Sequence, residues 1–302
     1  MWAARQAISL HARPPNNVNA AAQPSSARRR IWLCADDYGI SESVNIAIRD
    51  LVVRGRLNAT SVMTVAPSMQ RWEAAALERL NADKRRVAIG LHLTLSAPFR
   101  PLSQDFAPLR QGIFLPLAMT LGLACLRRLH RDALAAEIAE QLRLFVEAFG
   151  RPPDFIDGHQ HVHLFPQISE IVLSLTKERI PAAWVRQCGN VLPATQKLLD
   201  QKGLLIDVLS RGFRRRARAL GVRTNPAFAG TYSFGGRANF AEIFPRFLDG
   251  LPNGSVVMCH PGFVDDELRS LDPLTNERER EFAYFAGDAF PAVLAQHGLT
   301  LA

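Results

Sequence analysis

Cysteine is scarce and scattered in this chain. Cys34, Cys125, Cys188 and Cys259 are the only four in 302 residues, and no two form a C-x-x-C pair. That spacing excludes a zinc knuckle and a dithiol redox motif, and it fits a reducing, cytoplasmic setting. Long apolar runs are also missing. Nothing approaches the ~18–20 residues that cross a bilayer, so no transmembrane segment is expected. Residues 1–30 contain no acid and no convincing apolar h-region, so no secretory signal is read there. That stretch is rich in Ala, Asn, Pro, Ser and Arg and is expected to be a disordered extension. Its five arginines supply +5 of the formal net charge of +8. The remainder carries only +3, a weak case for a nucleic-acid partner, and none is expected. A second basic cluster, "RGFRRRARAL", holds Arg211, Arg214, Arg215, Arg216 and Arg218. A solvated helix face is the preferred reading over a nucleic-acid or membrane surface. No internal repeat is found.

What is present is an ordinary apolar content of 48%, enough for a sizeable core. Short apolar runs alternate with amphipathic segments. "IWLCA" (31–35) reads as a buried strand and "SESVNIAIRDLVVRG" (41–55) as a helix capped by Ser41 or Ser43 and stopped by Gly55. "ATSVMTV" (59–65) and "VAIGLHLTL" (87–95) read as strands. In residues 132–150, Leu134, Ile138, Leu142, Phe145 and Phe149 follow helical spacing, with Gly150 and Pro152 ending the helix. Further strands are expected at "DFIDG", "AAWVR" (182–186), "AFAG" (227–230) and "SVVMC" (255–259). Stretches 98–125 and 187–225 are less regular and read as insertions or lids. This β-α alternation predicts an α/β fold: one irregular TIM-type, (β/α) barrel-like domain over residues 31–302, with mainly parallel strands.

Four of these strands end directly in ionisable residues. "IWLCA" leads to Asp36 and Asp37, "VAIG" to His92, and "SVVMC" to His260. The run "DGHQHVH" supplies Asp157, His159, His161 and His163. In parallel α/β folds the carboxyl ends of strands converge on one face, where sites are built. Alternation in an extended segment would put the three rings of "HQHVH" on one side. A carboxylate with two imidazoles suits zinc or another divalent transition metal, with open positions for water and substrate. A second carboxylate could then serve as base and a histidine as acid.

Taken in order, "ADDYGIS", "GLHLTL", "DGHQHVHLFP" and "MCHPGF" resemble the YdjC-like carbohydrate deacetylases, which include chitooligosaccharide and hopanoid-associated deacetylases. The resemblance covers roughly residues 31–285, and "AGTYSFGG" and "DDELRSLDPLTNERERE" fit it too. It implies a barrel-like fold, one divalent metal (Mg²⁺ or Zn²⁺) and hydrolysis of an N-acetyl group from an amino sugar, free or lipid-linked. By position, it implies Asp37, His92 and His159 as metal ligands, Asp36 as the acid that activates water, and His260 as the proton donor to the leaving amine. His161, His163, Asp157, Arg186 and Tyr38 are expected to touch substrate or orient the ligands. Tyr38 stands where the family more often has Phe. The rival readings are another metal-dependent hydrolase such as a phosphoesterase, and a non-enzymatic carbohydrate- or nucleic-acid-binding protein. Oligomeric state is left open, a homodimer being one option.

Overall fold

β-branched and aliphatic runs dictate the centre of the molecule. In the computed structural model, which describes residues 28–82, 87–189, 201–232 and 239–302, they pair as eight strands. These are β1 (Arg29–Tyr38), β2 (Ala59–Val62), β3 (Ala88–Leu93), β4 (Phe155–Gly158), β5 (Trp184–Val185), β6 (Phe228–Ala229), β7 (Ser255–Cys259) and β8 (Leu299–Leu301). The sheet order is β5-β4-β3-β2-β1-β7-β6, with β8 added beside β1. Every strand pairing is parallel. A parallel sheet needs helical crossovers, and the described residues supply α1 (Glu42–Val53), α2 (Arg71–Arg79), α3 (Leu117–Cys125), α4 (Arg131–Phe149), α5 (Ile168–Arg179), α6 (Gln201–Leu220), α7 (Phe240–Phe247), α8 (Asp266–Leu271), α9 (Asn276–Ala286) and α10 (Ala289–Gln296). The sheet curls, so its end strands approach each other. One backbone bridge, Val185 with Thr224, joins the β5 edge to the segment before β6. Asn225 completes the closure, its Oδ1 accepting from the Gln187 amide at 2.8 Å and its Nδ2 donating to the Gln187 carbonyl at 3.0 Å. This is the irregular barrel that the β-α alternation predicts.

The local signals act as chemistry requires. Ser41 caps α1 by accepting from the Val44 amide, and Gly150 ends α4 in the left-handed conformation. All five apolar positions spaced along 132–150 are buried. Gly90 in β3 has no room for a side chain, because a Cβ there would lie 2.3 Å from the Phe155 ring. The differences from expectation are local. Strand "ATSVMTV" stops at Val62, and "AAWVR" and "AFAG" shrink to two residues each. The stretch 187–225 contains the twenty-residue helix α6, and β8 had no foretold counterpart. On α6, Phe213 and Ala217 are buried while Arg211, Arg214, Arg215 and Arg218 face outward. Of the expected disordered extension, residues 1–27 lie outside the described residues, and Arg29 and Arg30 already belong to β1. Among the described residues no helix is long and apolar enough to cross a membrane.

Candidate active site

Consecutive residues of a regular strand point to opposite faces, so Asp36 and Asp37 should diverge. They do not, because β1 carries a bulge. Its register with β2 runs Ala35 to Thr60 and then Tyr38 to Val62, one extra residue on β1. Asp37 sits at φ 68°, in the left-handed region, at that irregularity. A bulge re-aims a side chain, and here both carboxylates line one cavity. The cavity, of about 410 Å³, is bounded by Asp36, Asp37, His92, His159, His161 and His260, and Thr231, Asp272 and Glu277 also line it.

The centre is a set of three donors. Asp37 Oδ1 lies 3.2 Å from His92 Nε2 and 3.0 Å from His159 Nδ1, and all three side chains are buried. Two ligands about 2.1 Å from one ion at a right angle stand about 3.0 Å apart, so the spacing fits a coordination shell. The surrounding charge fits as well. Arg186, fully buried, donates to Asp36 through Nη1 and Nη2, at 2.7 Å each, and lies 2.5 Å from Asp157. Arg278, also buried, donates to Asp37 Oδ2 at 2.6 Å and to Asp272 at 3.0 Å. Two guanidiniums against these four carboxylates leave two negative charges, which a divalent cation would balance. His92 registers that excess. Burial alone would lower its pKa, but Asp157 and Asp36 outweigh it and push it up to about 10.

Around the donors, each side chain is held by another. His92 Nδ1 donates to Asp157 Oδ1 at 2.6 Å, which turns Nε2 toward Asp37; carboxylate–imidazole pairs of this kind orient metal-binding histidines. Ser61 Oγ bridges Asp36 at 3.2 Å and His92 Nδ1 at 3.0 Å. Burial would raise the Asp36 carboxyl, but the Arg186 guanidinium overrides it and holds it far below the usual carboxylate range. His260 stands on the cavity wall, and burial holds its pKa below the ordinary value against the pull of Asp37 and Asp36.

The histidine run does not behave as alternation suggests. Residues 159–164 form a 3-10 turn in which Gln160 and His161 take left-handed angles, so the three rings diverge. His159 meets Asp37. His161 lines the cavity beside Cys188 Sγ at 3.5 Å and meets Phe228 edge-on. His163 turns into the core, where Nε2 donates to the Arg186 carbonyl at 2.8 Å. Asp157 and Arg186 likewise sit behind the cavity wall, supporting His92 and Asp36. Tyr38 points elsewhere, its hydroxyl donating to Glu73 at 2.6 Å and accepting from Arg49 at 2.8 Å. The sequence reading missed Ser61, Arg278 and Glu281. Arg278 and Glu281 lie in "NERERE", whose charges resemble a solvated helix face.

His163 gives a measurable consequence. Burial pushes its pKa down to about 4 from an ordinary 6.5, so the folded state keeps it neutral. The unfolded chain then binds more protons between those values, and stability present above pH 6.5 is lost as pH falls toward 4. The shift corresponds to about 3 kcal/mol. His163→Gln, whose amide N–H can still reach the Arg186 carbonyl, is expected to flatten that slope. Urea midpoints at pH 7 and pH 5, compared between the two proteins, check it; equal slopes would contradict the assignment.

The match to known families decides what kind of chain this is. The model of the family described as YdjC-like protein matches residues 30–296. The chain belongs to the YdjC-like family. A curated relative from Clostridium beijerinckii, named carbohydrate deacetylase, is 26% identical over 261 residues, covering 83% of this chain and 89% of the relative. Among solved structures, a candidate cellobiose-phosphate cleavage protein from Enterococcus faecalis V583 superposes with a TM-score of 0.70 at 19% identity, over 91% of this chain and 97% of that one. This likeness shows a shared fold over 91% of the chain.

Proposed function

We propose that this YdjC-like protein is a divalent-metal-dependent hydrolase that removes the acetyl group from an N-acetylated amino sugar. The carrying observation is the donor set Asp37, His92 and His159, buried beside the clamped Asp36 and across from His260. Two imidazole nitrogens and one carboxylate oxygen suit zinc, while resemblance to the family points to magnesium. The name of the Clostridium beijerinckii relative supports the deacetylase chemistry. Four free thiols, three of them buried, support a reducing, cytoplasmic location.

Asp37, His92 and His159 would hold the ion. When bound, it would acidify a water and polarise the acetamide carbonyl. Asp36 takes the proton of the attacking water. Its two hydrogen bonds to Arg186 keep it ionised and fix its oxygens, and its weak basicity is matched only to a water already made acidic. His260 gives a proton to the departing amine. Acetate and the free amino sugar leave.

A phosphoesterase fits these residues less well. The second cluster of acidic and thiol groups among the described residues, Cys34, Asp36 and Asp157, is already occupied by the Arg186 guanidinium, which bonds to both carboxylates, rather than open to a second ion. Among the described residues no Lys or Arg lines the cavity to receive a phosphate. The deciding assay follows acetate release from diacetylchitobiose by chelator-stripped protein, with Zn²⁺, Mg²⁺, Mn²⁺ or Co²⁺ restored singly, beside phosphate release from a sugar phosphate. Metal-restored acetate release is expected. Phosphate release without acetate release would overturn the proposal.

A further inference from the structure

Helix α9 reaches the site at positions the reaction scheme above does not use. Arg278 Nη2 donates to Asp37 Oδ2 at 2.6 Å and to Asp272 Oδ2 at 3.0 Å. Its Nε donates to the Leu274 carbonyl at 3.0 Å, and its own carbonyl accepts from the Gly262 amide at 3.1 Å. Glu281 lies three residues on, and positions i and i+3 of a helix share a face. Glu281 Oε2 accepts the His260 amide at 2.6 Å, and Oε1 accepts the Tyr232 hydroxyl at 2.6 Å. Both Arg278 and Glu281 are fully buried, while Glu279 and Arg280 between them are exposed.

Burying a guanidinium and a carboxylate is costly unless each is held by well-placed partners. Here the partners are the two halves of the proposed chemistry. Asp37 offers Oδ1 to His92 and His159 while its Oδ2 is occupied by Arg278. The "HPGF" turn that carries His260 is tied to α9 twice, at the His260 amide and at the Gly262 amide. The turn packs closely there, since a Cβ added to Gly262 would meet Val44 at 2.9 Å and the Arg278 side chain at 3.4 Å.

We propose that α9 is the positioning element of the site: Arg278 fixes the carboxylate of Asp37, Glu281 fixes the main chain of His260, and one turn of helix sets the distance between them. This rests on reading Asp37 as a metal ligand and His260 as the proton donor. Arg278 and Glu281 are positioning residues and touch neither ion nor substrate.

The test uses full-length, chelator-stripped protein and zinc calorimetry. Arg278→Gln is expected to weaken zinc binding about 10–100-fold, the scale for losing a group that orients a ligand, with Arg278→Lys recovering part of it. Glu281→Gln is expected to leave zinc affinity within about two-fold and KM within about three-fold while lowering kcat about 10–100-fold. It should also move the His260 ring resonances in ¹⁵N spectra recorded without zinc. Tyr232→Phe, which removes one donor to Glu281, should move the same resonances less, and it carries the test should Glu281→Gln fail to fold. Wild-type zinc affinity in Arg278→Gln would overturn the proposal. So would wild-type kcat and unmoved His260 resonances in the Glu281 and Tyr232 variants. The zinc and resonance measurements decide the positioning role by themselves. A wild-type protein that released no acetate would instead sink the deacetylase reading.

Discussion

Asp37→Ala is expected to lose metal binding and acetate release together. The loss of kcat/KM should reach about 10³-fold or more, at least the scale of removing a principal stabiliser of a developing oxyanion. The reasoning is geometric. Asp37 Oδ1 is the atom common to both close contacts, 3.2 Å to His92 and 3.0 Å to His159, so its removal opens the set at the centre. The same variant strips Arg278 of its shorter carboxylate partner and leaves a buried guanidinium held mainly by Asp272. A lowered thermal midpoint should therefore accompany the loss. His159→Ala should lose metal with less destabilisation, because no buried guanidinium loses its partner. Zinc calorimetry and thermal unfolding of the two variants separate the effects. Zinc binding retained at wild-type strength by Asp37→Ala would remove that residue from the ligand set.

His260→Ala should behave in the opposite manner. Zinc affinity is expected to stay within a few-fold, and kcat to fall about 10²–10⁴-fold, the usual worth of a positioned acid or base. His260 borders the same cavity but is not one of the three clustered donors Asp37, His92 and His159. Its main-chain anchor to Glu281 survives truncation of the ring, so the fold should tolerate the change. The contrast between Asp37→Ala and His260→Ala is the sharpest expected from this site, one losing the ion and the other keeping it. A His260→Ala enzyme with wild-type turnover would discard the acid assignment and leave the donor set untouched.

These two variants also mark what the residues alone made legible. The apolar run before the Asp-Asp pair, the helix of residues 132–150 and the strand before His260 are short-range patterns, and local periodicity suffices to find them. Three features needed long-range structure. The bulge that turns Asp36 and Asp37 to one side exists only in the register of β1 against β2. The divergence of His159, His161 and His163 follows from two left-handed residues that the spacing H-Q-H-V-H does not announce. Arg278 and Glu281 were hidden for another reason. A helix written with alternating charges looks solvated, and only the packing of α9 against "HPGF" shows which of its charges point inward. Tyr38 erred in the reverse direction: adjacency to the acids in sequence placed it near the chemistry, whereas its ring fills the core.

The meeting of β5 and β6 has a mechanical meaning. Seven strands form a nearly continuous ladder, but among the described residues the ring is fastened between its two ends by one backbone bridge, the Asn225 side chain on Gln187 and the Arg223 side chain on the Ala182 carbonyl. A hoop with a single clasp opens at the clasp. The amides of Val185 and Gln187 should therefore exchange with deuterium through local opening, well before those of β2 and β1 in the middle of the ladder. Arg186 lies between them. Loosening the clasp would thus slacken the guanidinium that grips Asp36 while leaving Asp37 on β1 and His92 on β3 in place. The barrel carries its most breakable join next to its base and its firmest ladders next to Asp37 and His92.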